Sequence, residues 1–206
     1  NILLNERKKR TKPFFDSKVQ TDLNCYWLYS NLYSSLLLEN EDLYNKTISS
    51  IDVLNKKLNN NIFHCYNKDK NEIDVFLEDY TYYSLLLVTL YEFNNDKDSL
   101  EKCKKIMEEA WNLFFNKDNN LLQKNILNSN DLFVNPIDIA DNNISNGNSI
   151  YLLVCNKLNN ITNEKHWSEK INILCKSYNT YLNYNFSQMF SYLKVLDICE
   201  ENITIS

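Results

Sequence analysis

A single glycine in 206 residues, Gly147, marks the one place where this chain keeps a residue that reaches φ > 0 without a Cβ clash and lets a backbone or a ligand approach closely. It lies in Asn135-Pro136-Ile137-Asp138-Ile139-Ala140-Asp141-Asn142-Asn143-Ile144-Ser145-Asn146-Gly147-Asn148-Ser149, which opens a helical pattern. That loop is therefore the first place to look for a site. Elsewhere the turns fall to asparagine and acidic residues, as in Glu39-Asn40-Glu41 and Asn94 to Asp98.

Between those turns the apolar residues recur at helical spacing. Asp22 to Leu38 and Asp42 to Leu58 read as one helical hairpin, Glu78 to Phe93 and Ser99 to Phe115 as a second. A third runs from Asn148 to Leu158 and from Glu164 to Leu182, with a further helix from Ser187 to Ile198. Ile62 to Tyr66 and Ile203-Thr204-Ile205 read as short extended pieces, and Asp98 or Ser99 as an N-cap. First helices begin near residues 22, 78 and 148, a period too long for tetratricopeptide or HEAT arrays, which repeat at about 34 and ~40 to 47 residues. The first helix of each pair is the more apolar, nearly all round in Tyr82 to Leu90 and Ile150 to Val154. Helices of that kind are buried between others. The expected fold class is all-α, a partial (α/α) toroid with an inner ring of buried helices, an outer ring of amphipathic ones and a few short strands. Residues 1–206 form one partial toroid domain, with 1–15 as a lead-in.

Composition narrows the function. A net charge of -5 argues against a general nucleic-acid binder, whose affinity rests on Lys and Arg neutralising phosphates. The one basic cluster, Arg7 to Lys12, reads as a solvated lead-in. No window approaches the ~18 to 20 apolar residues of a membrane span, and nothing reads as a signal peptide. The six cysteines show no CxxC or zinc-ligand spacing and read as reduced thiols, pointing to the cytoplasm or another reducing compartment. The 35 asparagines look like coding bias, so sequons are expected by chance.

Several stretches together carry a family resemblance. Asp16-Ser17-Lys18-Val19-Gln20-Thr21-Asp22-Leu23-Asn24 is similar to the D-D-K-x-L-T-x-W-N-G segment of the thioredoxin-domain-containing family related to spermatogenesis-associated protein 20. Phe63-His64-Cys65-Tyr66 resembles its L-H-x-W-R, Phe76-Leu77-Glu78-Asp79-Tyr80 its F-L-D-D-Y-A, Asp141 to Ser149 its D-G-A-x-P-S-G-N-S, and Phe186-Ser187-Gln188-Met189 its P-Q-M segment. The resemblance implies the later half of a six-hairpin glycosidase-like toroid, with a thioredoxin-fold module and the remaining hairpins as partners elsewhere in a longer chain. Its shape resembles sugar 2-epimerases and glycoside-processing enzymes. Departures include Asn67 and Asn135 where the family has arginine, and Asn142 where it has glycine. Loss of arginine puts any anionic ligand in doubt, because asparagine cannot replace its charge.

In a toroid, helix ends and loops converge on a central funnel. The candidate catalytic residues are Glu78, Asp79, Asp141 and His64, and the candidate substrate-binding residues are Asp16, Lys18, Asn24, Tyr80, Asp138, Gly147, Asn148 and Ser149. Glycoside hydrolysis needs two carboxyl groups flanking the scissile bond, so Glu78 or Asp79 with Asp138 or Asp141 is the pair to test. Each acid has a structural alternative: Glu78 and Asp79 open a helix, where acids favour the positive end of the dipole, and Asp141 suits an Asx turn. His64 suits proton transfer near neutrality but equally a hydrogen-bonded structural role. His166 reads as surface or packing, and no metal or other cofactor is expected. Two function classes stay open: a carbohydrate-active or sugar-isomerising domain, and a non-catalytic scaffold or protein-binding toroid. Further expectations are φ > 0 or a neighbouring backbone at Gly147, a cap from Asn148 or Ser149, and exposed apolar faces at Leu36 to Leu38 or along the Leu152 helix.

Overall fold

A computed structural model describes residues 2–13, 18–58, 61–67, 70–72, 75–126 and 136–204. Asp16 and Asn135 lie outside the described residues. A short exposed helix, α1 (Ile2–Lys8), precedes three helical hairpins: α2 (Thr21–Leu37) with α3 (Glu41–Leu58), α4 (Leu77–Asn94) with α5 (Lys97–Phe114), and α6 (Gly147–Thr162) with α7 (Lys165–Asn185). A final helix, α8 (Phe190–Thr204), follows a 3-10 turn at Phe186–Gln188. The protein is 74% helical, and the few strands are two or three residues long, which makes it the all-α toroid type that the helical periodicity implies.

The first helices form an inner row. α4 packs on α2 and α6, and α6 on α8, while α3, α5 and α7 each lie behind their hairpin partner. α4 is buried from Asp79 through Leu90 without a break, as its all-round apolar sequence demands. α5 buries one face only, through Leu100, Cys103, Ile106, Met107, Ala110 and Phe114. Each large apolar side chain fully buried in that row contributes about 1.5 to 3 kcal/mol. No disulfide joins the cysteines among the described residues, and Cys25, Cys65, Cys103 and Cys155 are buried as small hydrophobes. Leu36, Leu37 and Leu38 are exposed as expected, whereas Leu152 is fully buried between its neighbours.

Two local readings are corrected. Asp96, not Asp98 or Ser99, caps α5, its carboxylate accepting the N–H groups of Asp98 (3.1 Å) and Ser99 (3.4 Å). α8 continues as helix through Ile203 and Thr204, where the β-branched run read as extended. Val19–Gln20 (β1), Cys65–Asn67 (β2) and Lys70–Glu72 (β3) form a small antiparallel sheet, pairing Gln20 with Cys65 and Cys65 with Glu72. Phe115–Asn116 (β4) and Leu121–Leu122 (β5) make a second hairpin. These strands carry the chain from an outer helix to the next inner one and bring His64 and Lys124 to the N-terminal ends of the inner row.

Candidate functional site

The N-terminal ends of α2, α4, α6 and α8 gather at one end of the molecule. Asp79 holds the first two together. At the third position of α4, its Oδ2 accepts the N–H of Phe76 (2.9 Å), the return half of a capping box, and its Oδ1 accepts the N–H of Asp22 in the first turn of α2 (3.2 Å). His64, on the strand segment beside them, places Nδ1 3.1 Å from both Asp79 oxygens. Its Nε2 lies 3.3 Å from Gln20 Nε2, and its ring edge meets Phe76 at 4.6 Å between centroids. Nδ1 is thereby assigned the proton in the neutral ring. The hydrogen bond to Asp79 raises the His64 pKa, because the carboxylate stabilises imidazolium more than burial disfavours it.

The loop that opens α6 is fixed by two residues. Asn146 is the N-cap, its Oδ1 accepting the Ser149 N–H at 2.9 Å and the Tyr178 hydroxyl at 2.8 Å. Asp141 ties the loop to α8: Oδ2 accepts the Ser191 N–H (2.7 Å), and Oδ1 accepts the Asn146 N–H (3.1 Å), the Asn146 amide and the Ser191 hydroxyl. Gly147 then enters α6 directly beneath α4. It is not at positive φ. Its Cβ would stand 2.9 Å from Leu77 Cγ and 3.1 Å from Glu78 Oε1, so close approach of side chains explains it, not backbone strain or a neighbouring backbone.

Between these helix ends lies a cavity of about 320 Å3, within the range of small-molecule sites. Asp22, His64, Glu78, Lys124 and Asp138 supply its ionisable groups, and Leu23 and Phe76 part of its apolar wall. Lys124 Nζ donates to Asp138 Oδ2 at 2.9 Å, which raises the lysine pKa. Glu78 is different. Its Oε2 is shielded from solvent and has no hydrogen-bond partner among the described residues, and burial pushes its carboxyl pKa up. Lys124 pulls the Glu78 pKa down and Asp138 pushes it up, both less strongly than burial does. A second hollow of about 160 Å3 shares Ser145 with the first and is walled by Tyr26, Tyr29, Leu85 and Leu153.

Of the sequence candidates, His64, Glu78 and Asp138 line the cavity. Asp79 stands behind His64, fully buried. Asp141 lies outside the lining, both oxygens engaged by the loop and α8. Asn148 pairs with β5 instead, exchanging hydrogen bonds with the Leu122 N–H (3.0 Å) and carbonyl (2.8 Å) as a strand would. Ser149 borders the second hollow, and neither it nor Asn148 is the cap, which is Asn146. Tyr80 points away, its hydroxyl donating to Glu109 of α5 at 3.0 Å. Asn24 donates back to the Gln20 carbonyl at 2.7 Å, and Lys18 is exposed outside the cavity.

Asp22, Phe76, Lys124 and Asn146 are the site residues the sequence reasoning passed over. Asp22, Phe76 and Asn146 sit inside the stretches singled out, so weighing every polar position there would have found two of them. Lys124 lies in Gln123-Lys124-Asn125, which has no period and no motif. Asp22, His64 and Asp79 also bring a ligand atom each within 4.8 Å of one another. Both Asp79 oxygens already accept N–H donors, so within the trio it is the His64–Asp79 pair that shares a proton.

No protein-family model matches the sequence, and no curated protein does. Solved structures do match in fold. A GH76 α-mannanase of Bacteroides thetaiotaomicron superposes with a TM-score of 0.66 at 14% identity, covering 90% of this chain and 53% of that one. An inactive variant of the α-1,6-mannanase GH76A of Salegentibacter sp., with two consecutive aspartates replaced by asparagine and α-1,6-mannotriose bound, matches with a TM-score of 0.60 at 16% identity, over 77% of this chain and 46% of that one. Cellobiose 2-epimerase of Bacillus thermoamylovorans gives 0.59 at 14%, over 77% and 44%. The chain thus spans about half the length of these proteins, and it shares the (α/α)-toroid fold with part of each.

Proposed function

We propose that the cavity at the inner-helix N-termini binds a carbohydrate, and that Glu78 donates a proton to it in a glycoside-processing reaction. The observation that carries this is the Glu78 carboxyl, with one oxygen unpartnered at a polar cavity and its pKa raised by burial. A carboxyl that holds its proton more tightly than an exposed one suits protonation of a leaving oxygen. Asp22 or Asp138 is the second carboxylate, and Phe76 offers an apolar face to a sugar ring. His64, steadied by Asp79, is the base if the reaction is epimerisation. The fold neighbours lend support: one mannanase binds α-1,6-mannotriose and is inactive without two consecutive aspartates, and this chain also carries two consecutive acids, Glu78 at the cavity and Asp79 behind His64. The thioredoxin-fold module and the remaining hairpins of a longer chain rest on the motif resemblance alone.

A binding module without turnover is the second reading. It is favoured by the engagement of Asp79, Asp141 and Asp138 with N–H donors or Lys124, which leaves few free carboxylate oxygens. One experiment separates the two. Calorimetric titration with α-1,6-mannotriose and cellobiose, followed by chromatography of the incubated sugars, shows binding with turnover in the first case and binding alone in the second. No binding to any mono- or oligosaccharide offered sinks both.

A further inference from the structure

Lys104, Lys124, Lys157 and Lys170 each bury much of the side chain, and each holds a carboxylate: Glu164 at 2.6 Å, Asp138 at 2.9 Å, Glu92 at 2.7 Å and Glu108 at 2.6 Å. Lys102, in the second turn of α5, is half-buried as well. Among the described residues it has no ion pair, and its Nζ donates instead to the Tyr83 hydroxyl of α4 at 2.6 Å. Tyr83 in turn donates to Asn55 Oδ1 of α3 at 2.5 Å. Burial raises the Tyr83 pKa, so the hydroxyl stays neutral and offers Lys102 a dipole in place of a counter-charge.

An ammonium taken out of water without a counter-ion gives up its proton more readily. Burial accordingly lowers the Lys102 pKa, the reverse of what the carboxylate partners do to Lys104 and Lys124. The amine also has space in front of it. A cavity of about 480 Å3 lies against Lys102 between α3 and α5, with apolar walls from Leu58, Ile62 and Ile106. Asp98, Glu101 and Glu109 line it too, against one further cation, Lys105. That balance disfavours an anionic ligand, while the carboxylate oxygens suit one that carries hydroxyl groups.

We propose that Lys102 is a covalent site for a small neutral hydroxyaldehyde, of the kind presented by the open-chain form of a short aldose, which it holds as an imine. A desolvated lysine in a partly apolar pocket is the form of amine that adds to carbonyls near neutrality. The unprotonated Nζ attacks the carbonyl carbon, and the π pair moves to oxygen. That oxygen then takes both nitrogen hydrogens and departs as water, so C=N replaces C=O with nothing oxidised or reduced. Tyr83, tied to Asn55, holds Nζ at the cavity. The site shares no lining residue with the cavity at the inner-helix N-termini and stands whether or not that one binds sugar.

Incubation of the chain with glyceraldehyde and cyanoborohydride, which reduces the imine to a stable secondary amine, tests the proposal when each lysine is followed by peptide mass spectrometry. At pH 7 Lys102 should be labelled about tenfold faster, or more, than the exposed Lys97 and Lys176. The pH at which its labelling rate reaches half its maximum should lie below theirs. Glyoxylate, an anionic aldehyde, should label Lys102 more slowly than glyceraldehyde does. A Lys102→Met chain should lose the fast phase and keep the slow one. Labelling of Lys102 at the rate of Lys97 overturns the proposal, and so does a pH midpoint no lower than that of the exposed lysines. Faster labelling by glyoxylate than by glyceraldehyde overturns the choice of a neutral ligand.

Discussion

Gly147 leaves the space in which the Glu78 carboxyl lies: a Cβ there would come within 3.1 Å of Glu78 Oε1 and 2.9 Å of Leu77 Cγ. The one glycine of the chain therefore acts through packing. Leu77 Cγ is the branch point of a fully buried side chain and has no room to retreat. Gly147→Ala should destabilise by about 1 to 3 kcal/mol, the usual cost of overpacking, and should weaken ligand binding by displacing Glu78. Chemical denaturation reads the first effect and sugar titration the second. A neutral substitution would mean the loop yields freely.

Glu78→Gln should separate stability from function. The folded-state pKa of Glu78 is raised above its unfolded value, so its contribution to stability is fullest below the unfolded pKa and is lost as pH rises through the folded one. At neutral pH an amide escapes that cost. The variant should be more stable at pH 7 by the order of 1 kcal/mol while turnover falls, the trade-off expected of a strained functional group. Equal thermal stability of the two proteins across pH 4 to 7 would remove Glu78 as the acid.

His64 carries the opposite kind of group but the same sign. Its pKa is raised from the model-compound value of about 6.5 by the Asp79 hydrogen bond, so the stability it adds is fully present below that value and is lost as pH rises through the folded pKa. Nuclear magnetic resonance titration should place His64 above 6.5, and the decline in unfolding free energy above neutrality should flatten in His64→Asn. Asp79→Asn should cost roughly 3 kcal/mol, because it puts a donor where the Phe76 and Asp22 N–H groups need an acceptor.

The helical hairpins are legible in the sequence because α3, α5 and α7 keep one period over 18 residues or more, and period does not depend on the partner. Helix starts are less so. Asp96 and Asn146 cap from two to three residues ahead of the positions expected, since the cap lies outside the periodic run it closes. Within Glu78-Asp79-Tyr80 each step turns the side chain by about 100°, so Glu78 meets the cavity, Asp79 the strand segment and Tyr80 the outer helix α5. Adjacency in the motif hides that divergence. Lys124 and its pairing with Asp138 depend on where an aperiodic segment crosses the end of α4, which the backbone bonds from Leu77 N–H to the Lys124 carbonyl and from Lys124 N–H to Pro136 decide.

Asp141 provides the sharpest test of motif against structure. From the sequence it is a catalytic candidate that equally suits an Asx turn. In the structure its carboxylate accepts from the Ser191 N–H in the first turn of α8, from the Asn146 N–H, and from the side chains of both. An amide in its place turns one acceptor into a donor facing N–H groups and removes the charge that favours a helix N-terminus. Asp141→Asn should therefore cost about 1 to 3 kcal/mol and loosen α8 from α6, measured as a lower denaturation midpoint and faster amide exchange near Ser191. Any sugar binding should fall only as far as the loop is disturbed. An Asp141→Asn protein with unchanged stability and abolished turnover would instead return Asp141 to the catalytic group.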